Sequence, residues 1–212
     1  MVEFFLNNKK VVAKDDETIW SVAKREGITL PHLCFADKPG YRADGNCRAC
    51  MVSIEGERVL AASCIRKPTE GMKVLTNDER SIKSRKMVLE LLVTDQPDRD
   101  TSHDPDSHFW KIASDIDVEK SRFEKREKKI VPCEDSSHVA MSVNLDACIH
   151  CNLCVRACRE VQVNDVIGMG NRGHHSKVVF DFNDPMGDSS CVSCGECVQA
   201  CPTGALMESN LL

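Results

Sequence analysis

Twelve of the thirteen cysteines in this 212-residue chain fall into three quartets, and their spacing is what could do chemistry. Cys148, Cys151, Cys154 and Cys158 are separated by two, two and three residues, and Cys191, Cys194, Cys197 and Cys201 repeat that figure with Pro202 added. A cubane has four iron corners, each needing one thiolate, and three closely spaced cysteines on a tight loop can reach three corners of one cube. Zinc takes four ligands in a tetrahedron, usually as two separated pairs, so the third and fourth cysteines of such a run have no natural place in a zinc site. The remaining quartet, Cys34, Cys47, Cys50 and Cys64, has gaps of twelve, two and thirteen residues. That spacing suits a zinc site as well. Its position upstream of two cubane runs favours a [2Fe–2S] cluster. Cys133 is left without a quartet.

The two-two-three run is that of bacterial ferredoxins, in which the fourth cysteine ligates the other cluster. The expected pairing is therefore crossed. Cys148, Cys151 and Cys154 take Cys201, whereas Cys191, Cys194 and Cys197 take Cys158, the fourth cysteine sitting at the start of a helix and pointing away. The expected cofactors are two [4Fe–4S] clusters and one [2Fe–2S] cluster.

The elements that must position these thiols predict an α+β fold in three parts: residues 1–78, a charged helical connector over 79–137, and 138–212. Glu3–Leu6 and Lys9–Ala13 flank Asn7-Asn8, a two-residue hairpin turn. Thr18–Arg25 places Ile19, Val22 and Ala23 on one helical face, with Gly27 after it as a cap. Met51–Ile54 and Arg58–Ala61 form a second hairpin, and Met72–Leu75 a last strand, which is the element order of a β-grasp ferredoxin. The loop Ala36–Asn46 carries Gly40 and Gly45, where backbone amides must approach a cluster. Thr76–Glu79 has a capping-box pattern opening a helix through Val93. Asp115–Lys129 reads as a solvated helix or connector, and Val139–Val143 as an edge strand.

A formal charge of −5 and a pI near 5.8 argue against nucleic acid as the partner. No apolar run is long enough for a membrane span, and Met1–Leu6 leads directly into Asn7-Asn8-Lys9-Lys10 with no secretory signal. Clustered thiols without such a signal read as cytoplasmic cofactor ligands. Gly168-Met-Gly170-Asn-Arg-Gly173 matches a dinucleotide-binding pattern. That reading requires a long helix after it, whereas Val178–Phe180 reads as a strand, so a glycine-rich hairpin is expected. His174, His175, His103, His108 and His138 have a bland default as solvated side chains, and no side chain stands out as a general base or nucleophile.

Together these motifs resemble a shared electron-transfer family. It comprises the large iron–sulfur subunit of respiratory complex I, the diaphorase subunit of NAD-reducing hydrogenases, iron-only hydrogenases and NAD-dependent formate dehydrogenase alpha chains. Asp44–Val52, Asn144–Cys148, Cys154–Gln162 and Cys191–Ala205 look most like the formate dehydrogenase alpha chain. The resemblance implies an electron-transfer component that is not catalytic by itself. It would work between a molybdopterin site and a flavin-containing NADH-oxidising subunit, or alternatively within an NAD-linked hydrogenase or NADH dehydrogenase. A zinc-stabilised assembly module is the reading from another class. The family commonly carries a further cubane held by one histidine and three cysteines. The corresponding stretch here, Gln96–His108, has no cysteine, so that cluster is expected to be absent.

Overall fold

The computed structural model describes residues 1–125 and 134–211, so Cys133 lies outside the described residues. The chain packs as two compact units, Met1–Phe35 with Arg42–Leu91, and Ala36–Tyr41 with Leu92–Leu212.

In the first unit, β1 (Val2–Leu6) and β2 (Lys9–Ala13) pair antiparallel. Asn7 and Asn8 join them at φ 49° and 66°, the left-handed pair that matches the twist of a tight hairpin. Phe4, Leu6, Val11 and Ala13 point to one buried face, as alternation along a strand requires. Helix α1 (Ile19–Arg25) starts where the Thr18 hydroxyl accepts the Ser21 amide at 3.2 Å. β3 (Met51–Ile54), β4 (Ala61–Ala62) and β5 (Lys73–Leu75) complete a five-stranded sheet in the order β2-β1-β5-β3-β4. β1 and β5 run parallel at its centre. Ile19 and Val22 of α1 share a core with Phe4, Val52 and Val74 of the sheet, all fully buried. Each such side chain stabilises the unit by roughly 1.5–3 kcal/mol.

Two details differ from the sequence expectation. The strand expected at Arg58–Ala61 is confined to Ala61–Ala62, because Ser63 must bond back to the Cys50 carbonyl, its hydroxyl donating at 2.7 Å. Helix α2 (Glu79–Asp95) is capped by Asp78, which accepts the Ser81 amide at 3.3 Å and the Ser53 hydroxyl at 2.8 Å. Thr76, the expected cap, instead exchanges two 2.8 Å hydrogen bonds with the Asn7 side chain. Buried Arg85 donates to the Met51 carbonyl at 3.0 Å and the Thr76 carbonyl at 2.6 Å, pinning α2 to the sheet.

In the second unit, α3 (His108–Asp115) buries Phe109, Trp110, Ile112 and Ala113 behind a Ser107 cap. The sequence reading assigned no element there, because one short apolar turn is lost among aspartates. No helix follows over 116–125, contrary to the solvated helix considered for that stretch. β6 (Glu134–Asp135) pairs with β7 (Met141–Asn144). Helix α4 (Leu153–Arg156) lies within the first cubane run and carries Cys154. β8 (Ile167–Gly170) and β9 (Lys177–Phe180) form the expected hairpin, with Gly168 and Gly170 inside β8 and no helix after them to hold a pyrophosphate. Helix α5 (Glu196–Ala200) and β10 (Leu206–Glu208) close the unit. β7 is the central strand of the sheet β10-β7-β6, not an edge. The reason is that its pairing partners are two- and three-residue strands too short to be read from sequence.

Candidate functional site

None of the twelve cysteines of the quartets is in a disulfide. In the first unit, α1 sets Cys34 through Trp20, whose indole N–H donates to the Leu30 carbonyl at 3.1 Å. The indole also meets His32 and Phe35 edge-on at 4.7 and 5.1 Å. Cys47 and Cys50 precede β3, and Cys64 follows β4. Arg48, between Cys47 and Cys50, is left-handed at φ 60°, and Gly45 sits at φ 65° with Ile65 packed against it. This turns amides inward. Cys34 is held down to about 2 by hydrogen bonds from Cys47, then Cys64, and by the Cys47 and Asn46 amides. Cys50 is drawn down to about 6 by its hydrogen bond with Cys64. Cys47 and Cys64 are correspondingly pushed up, each first by its bond to Cys34. The four sulfurs therefore converge closely enough to share protons, as ligands to one small core must.

The two cubane runs repeat in backbone as well as in sequence. His150 and Asn152 are left-handed at φ 52° and 62°, and Ser193 and Gly195 occupy the same offsets at 59° and 75°. The His150 amide donates to the Cys148 sulfur and the Ser193 amide to the Cys191 sulfur, each at 3.4 Å. Successive amides in such turns make a concave nest for negative charge.

Tertiary structure then sorts the eight cysteines. Cys148, Cys151, Cys154 and Cys201 line one recess with a volume of about 20 Å³, walled by Leu145, Ile149, Val178, Pro202 and Leu206 among others. Cys158 is not in that lining. Burial pushes Cys148 up to about 11 and Cys154 well above its ordinary value, the latter helped by charge on Cys151, Cys201, Cys148 and, last, Cys197. Cys197 is pushed up to about 12 by burial and then by Cys191, Cys194 and Cys158.

Cys158 reaches that second group because α4 loosens into a π turn over Ala157–Val161, which carries it. The Val166 amide donates to its sulfur at 3.3 Å. Cys201 directly follows α5. The fourth cysteine thus lies one turn past a helix start, not at it, since the three-residue gap is itself helical. Among the described residues, no three His, Cys, Asp or Glu side chains are spaced to hold a single metal ion. Four free thiols around an apolar recess, with amides turned onto sulfur, fit a thiolate-ligated cubane.

Sequence reasoning missed three supporting groups. His138 is buried, not solvated; its Nε2 pairs with the Ser193 hydroxyl at 3.0 Å and its Nδ1 accepts the Ala140 amide at 3.1 Å, fixing the second run. The Tyr41 hydroxyl donates to Glu196 at 2.8 Å, between Cys194 and Cys197 in sequence. Arg156 is almost fully buried within the first run. The cysteine-free stretch Gln96–His108 is packed by its own side chains. Buried Gln96 donates to the Ala147 carbonyl at 3.1 Å, and Arg99 lies over Trp110 at 6.0 Å while bonding the Pro105 carbonyl at 2.8 Å.

A family model for a 2Fe-2S iron-sulfur cluster binding domain matches residues 1–79, and one for a 4Fe-4S dicluster domain matches residues 147–205. A chain in a crystal structure of an NAD+-reducing [NiFe]-hydrogenase superposes with a TM-score of 0.87 at 25% identity, covering 98% of this chain and 87% of that one. The NADP-reducing hydrogenase subunit HndD of Solidesulfovibrio fructosivorans is 31% identical over all of this chain. An NADH-quinone oxidoreductase subunit of Rhizobium meliloti is 30% identical over 98% of it. A protein named "putative formate dehydrogenase" in Staphylococcus haemolyticus is 29% identical over 89%. The chain is an iron–sulfur electron-transfer region related to those of these oxidoreductases.

This electron-transfer region spans only 37%, 24% and 19% of those three relatives' own lengths. Its two domains carry one [2Fe–2S] and two [4Fe–4S] clusters. Among the described residues, no helix is long and apolar enough to cross a membrane.

Proposed function

We propose that the chain relays single electrons between a molybdopterin site like that of formate dehydrogenase and a flavin-containing subunit that exchanges electrons with NAD. Cys34, Cys47, Cys50 and Cys64 hold the [2Fe–2S] cluster. Cys148, Cys151, Cys154 and Cys201 hold one cubane, and Cys191, Cys194, Cys197 and Cys158 hold the other. The observation that supports this reading is that Cys148, Cys151, Cys154 and Cys201 line one recess without Cys158, while charge on Cys191, Cys194 and Cys158 acts on Cys197. The clusters supply one-electron chemistry when bound. The chain's own part is to fix the thiolates on left-handed turns, direct amides at sulfur, and keep water from the recess with Leu145, Ile149, Val178 and Leu206. Hydrogen bonding and burial of this kind set reduction potentials. Free thiols in this number suit a reducing cytoplasm.

A second reading, an electron-transfer region of an NAD(P)-linked hydrogenase, is favoured by the match to HndD over all of this chain. The test is metal and sulfide analysis of anaerobically purified chain, with its visible spectrum. About ten irons per chain, two cubanes and one [2Fe–2S], are expected. Stoichiometric zinc in a colourless protein supports the assembly module instead. About fourteen irons would mean that a further cubane has survived.

A further inference from the structure

The buried group that ligand assignment leaves unused is Arg156. It is the largest fully buried side chain among the described residues, 2% exposed, and it lies inside the first cubane run between Cys154 and Cys158. Those two neighbours belong to different quartets, so the guanidinium sits on the one segment that serves both. Its Nη2 donates to the Cys151 carbonyl at 3.5 Å. Burying a cation is costly unless negative charge lies close by. Arginine cannot escape that cost by deprotonating.

The nearby side chains tell how the charge is placed. The Tyr41 phenol lies within reach of the Arg156 field and donates to Glu196 at 2.8 Å. Glu196 precedes Cys197, a ligand of the second quartet, so Tyr41 joins the field of the cation to a carboxylate of the second run. Gly40, at φ +86°, lets the backbone turn into this tyrosine, a conformation that L side chains rarely adopt. At the first quartet the guanidinium donates to the Cys151 carbonyl, and Cys151 lines the apolar recess. Low polarity strengthens any charge felt there.

We propose that Arg156 is the buried counter-charge of the thiolate-ligated cubanes and holds their reduction potentials up, most of all for the cluster of Cys148, Cys151, Cys154 and Cys201. Reduction adds one electron, hence one negative charge, to a site whose thiolates are already anionic. A fixed cation beside it stabilises the reduced form more than the oxidised one. Arg156 is a positioning residue, since it acts through the ligands and not on a substrate. This inference rests on the cluster assignment above.

The experiment is an EPR-monitored redox titration of the full chain, Arg156→Gln and Arg156→Lys, with iron counted on each sample. In Arg156→Gln the reduction equilibrium of the Cys151 cubane should weaken at least tenfold, or ~59 mV toward more negative potential for one electron. The [2Fe–2S] potential in the same sample should not move. Arg156→Lys, which keeps the charge, should stay near the parent. Full iron in Arg156→Gln with unmoved cubane potentials overturns the inference while leaving the ligand assignment intact. If Arg156→Gln loses its cubanes, Arg156→Lys decides. Retained iron and parent potentials support a charge role, and loss of cubane iron from the lysine variant too overturns it. A parent chain without iron sinks the cluster assignment and this inference with it.

Discussion

Cys201 lines the same recess as Cys148, whereas Cys158, far nearer to Cys148 in sequence, does not. The π turn at Ala157–Val161 carries Cys158 away, and the chain passes through the β8–β9 hairpin before α5 delivers Cys201. Crossing the ligands makes each cubane a staple between two distant segments, so cluster loss and local unfolding should be linked.

The crossed arrangement predicts that Cys158→Ser perturbs the cluster held by Cys191, Cys194 and Cys197. Cys151→Ser should perturb the other one. EPR spectra of the two single variants and the double variant check this: the singles should damage different cubane signals, and the double variant both. Damage to one shared signal in both singles refutes the crossing.

Glycine at position 45 is required for two reasons. Its φ is +65°, and a side-chain carbon would meet Ile65 at 2.8 Å. Gly56 has a φ of +83° but open space around it. Gly56→Ala should therefore cost only the left-handed penalty, about 1–2 kcal/mol. Gly45→Ala adds a clash inside the Cys34–Cys47 loop and should also lower [2Fe–2S] occupancy. Thermal unfolding and [2Fe–2S] absorbance of the two holo-variants measure the difference.

Val163 is a β-branched residue held at φ 57° with 79% of its surface exposed. Such a backbone costs of order 1–3 kcal/mol, with no buried contact to offset it. Asparagine tolerates this region far better. Val163→Asn should stabilise the protein by about 1 kcal/mol, raising Tm by roughly 2–4 °C in a calorimetric scan. An unchanged or lower Tm contradicts this.

The isolated chain should accept electrons from dithionite and pass them to dyes, yet turn over neither formate nor NADH. Formate oxidation and hydride splitting belong to molybdenum and flavin sites. Adding a flavin-containing NADH-oxidising subunit should confer dye reduction that is lost in Cys47→Ser and Cys194→Ser. Turnover by the pure chain, shown free of flavin and molybdenum by analysis, contradicts the relay.

Much of this was written locally in the sequence. The hairpin at Asn7-Asn8, the Thr18 cap and the repeated cysteine run depend on interactions a few residues long, so local chemistry determined them. Helix α3 was hidden because its four buried residues form one brief turn in an acidic stretch, and only packing distinguishes it. β7 became a central strand because its partners come from either end of the unit, and a strand's neighbours are a property of the whole sheet. His138 sits far from Ser193 in sequence, Tyr41 farther still from Glu196, and Arg156 looks like any surface arginine beside a helix start. Burial and long-range partners gave those three their roles, and both are set only when the chain closes on itself.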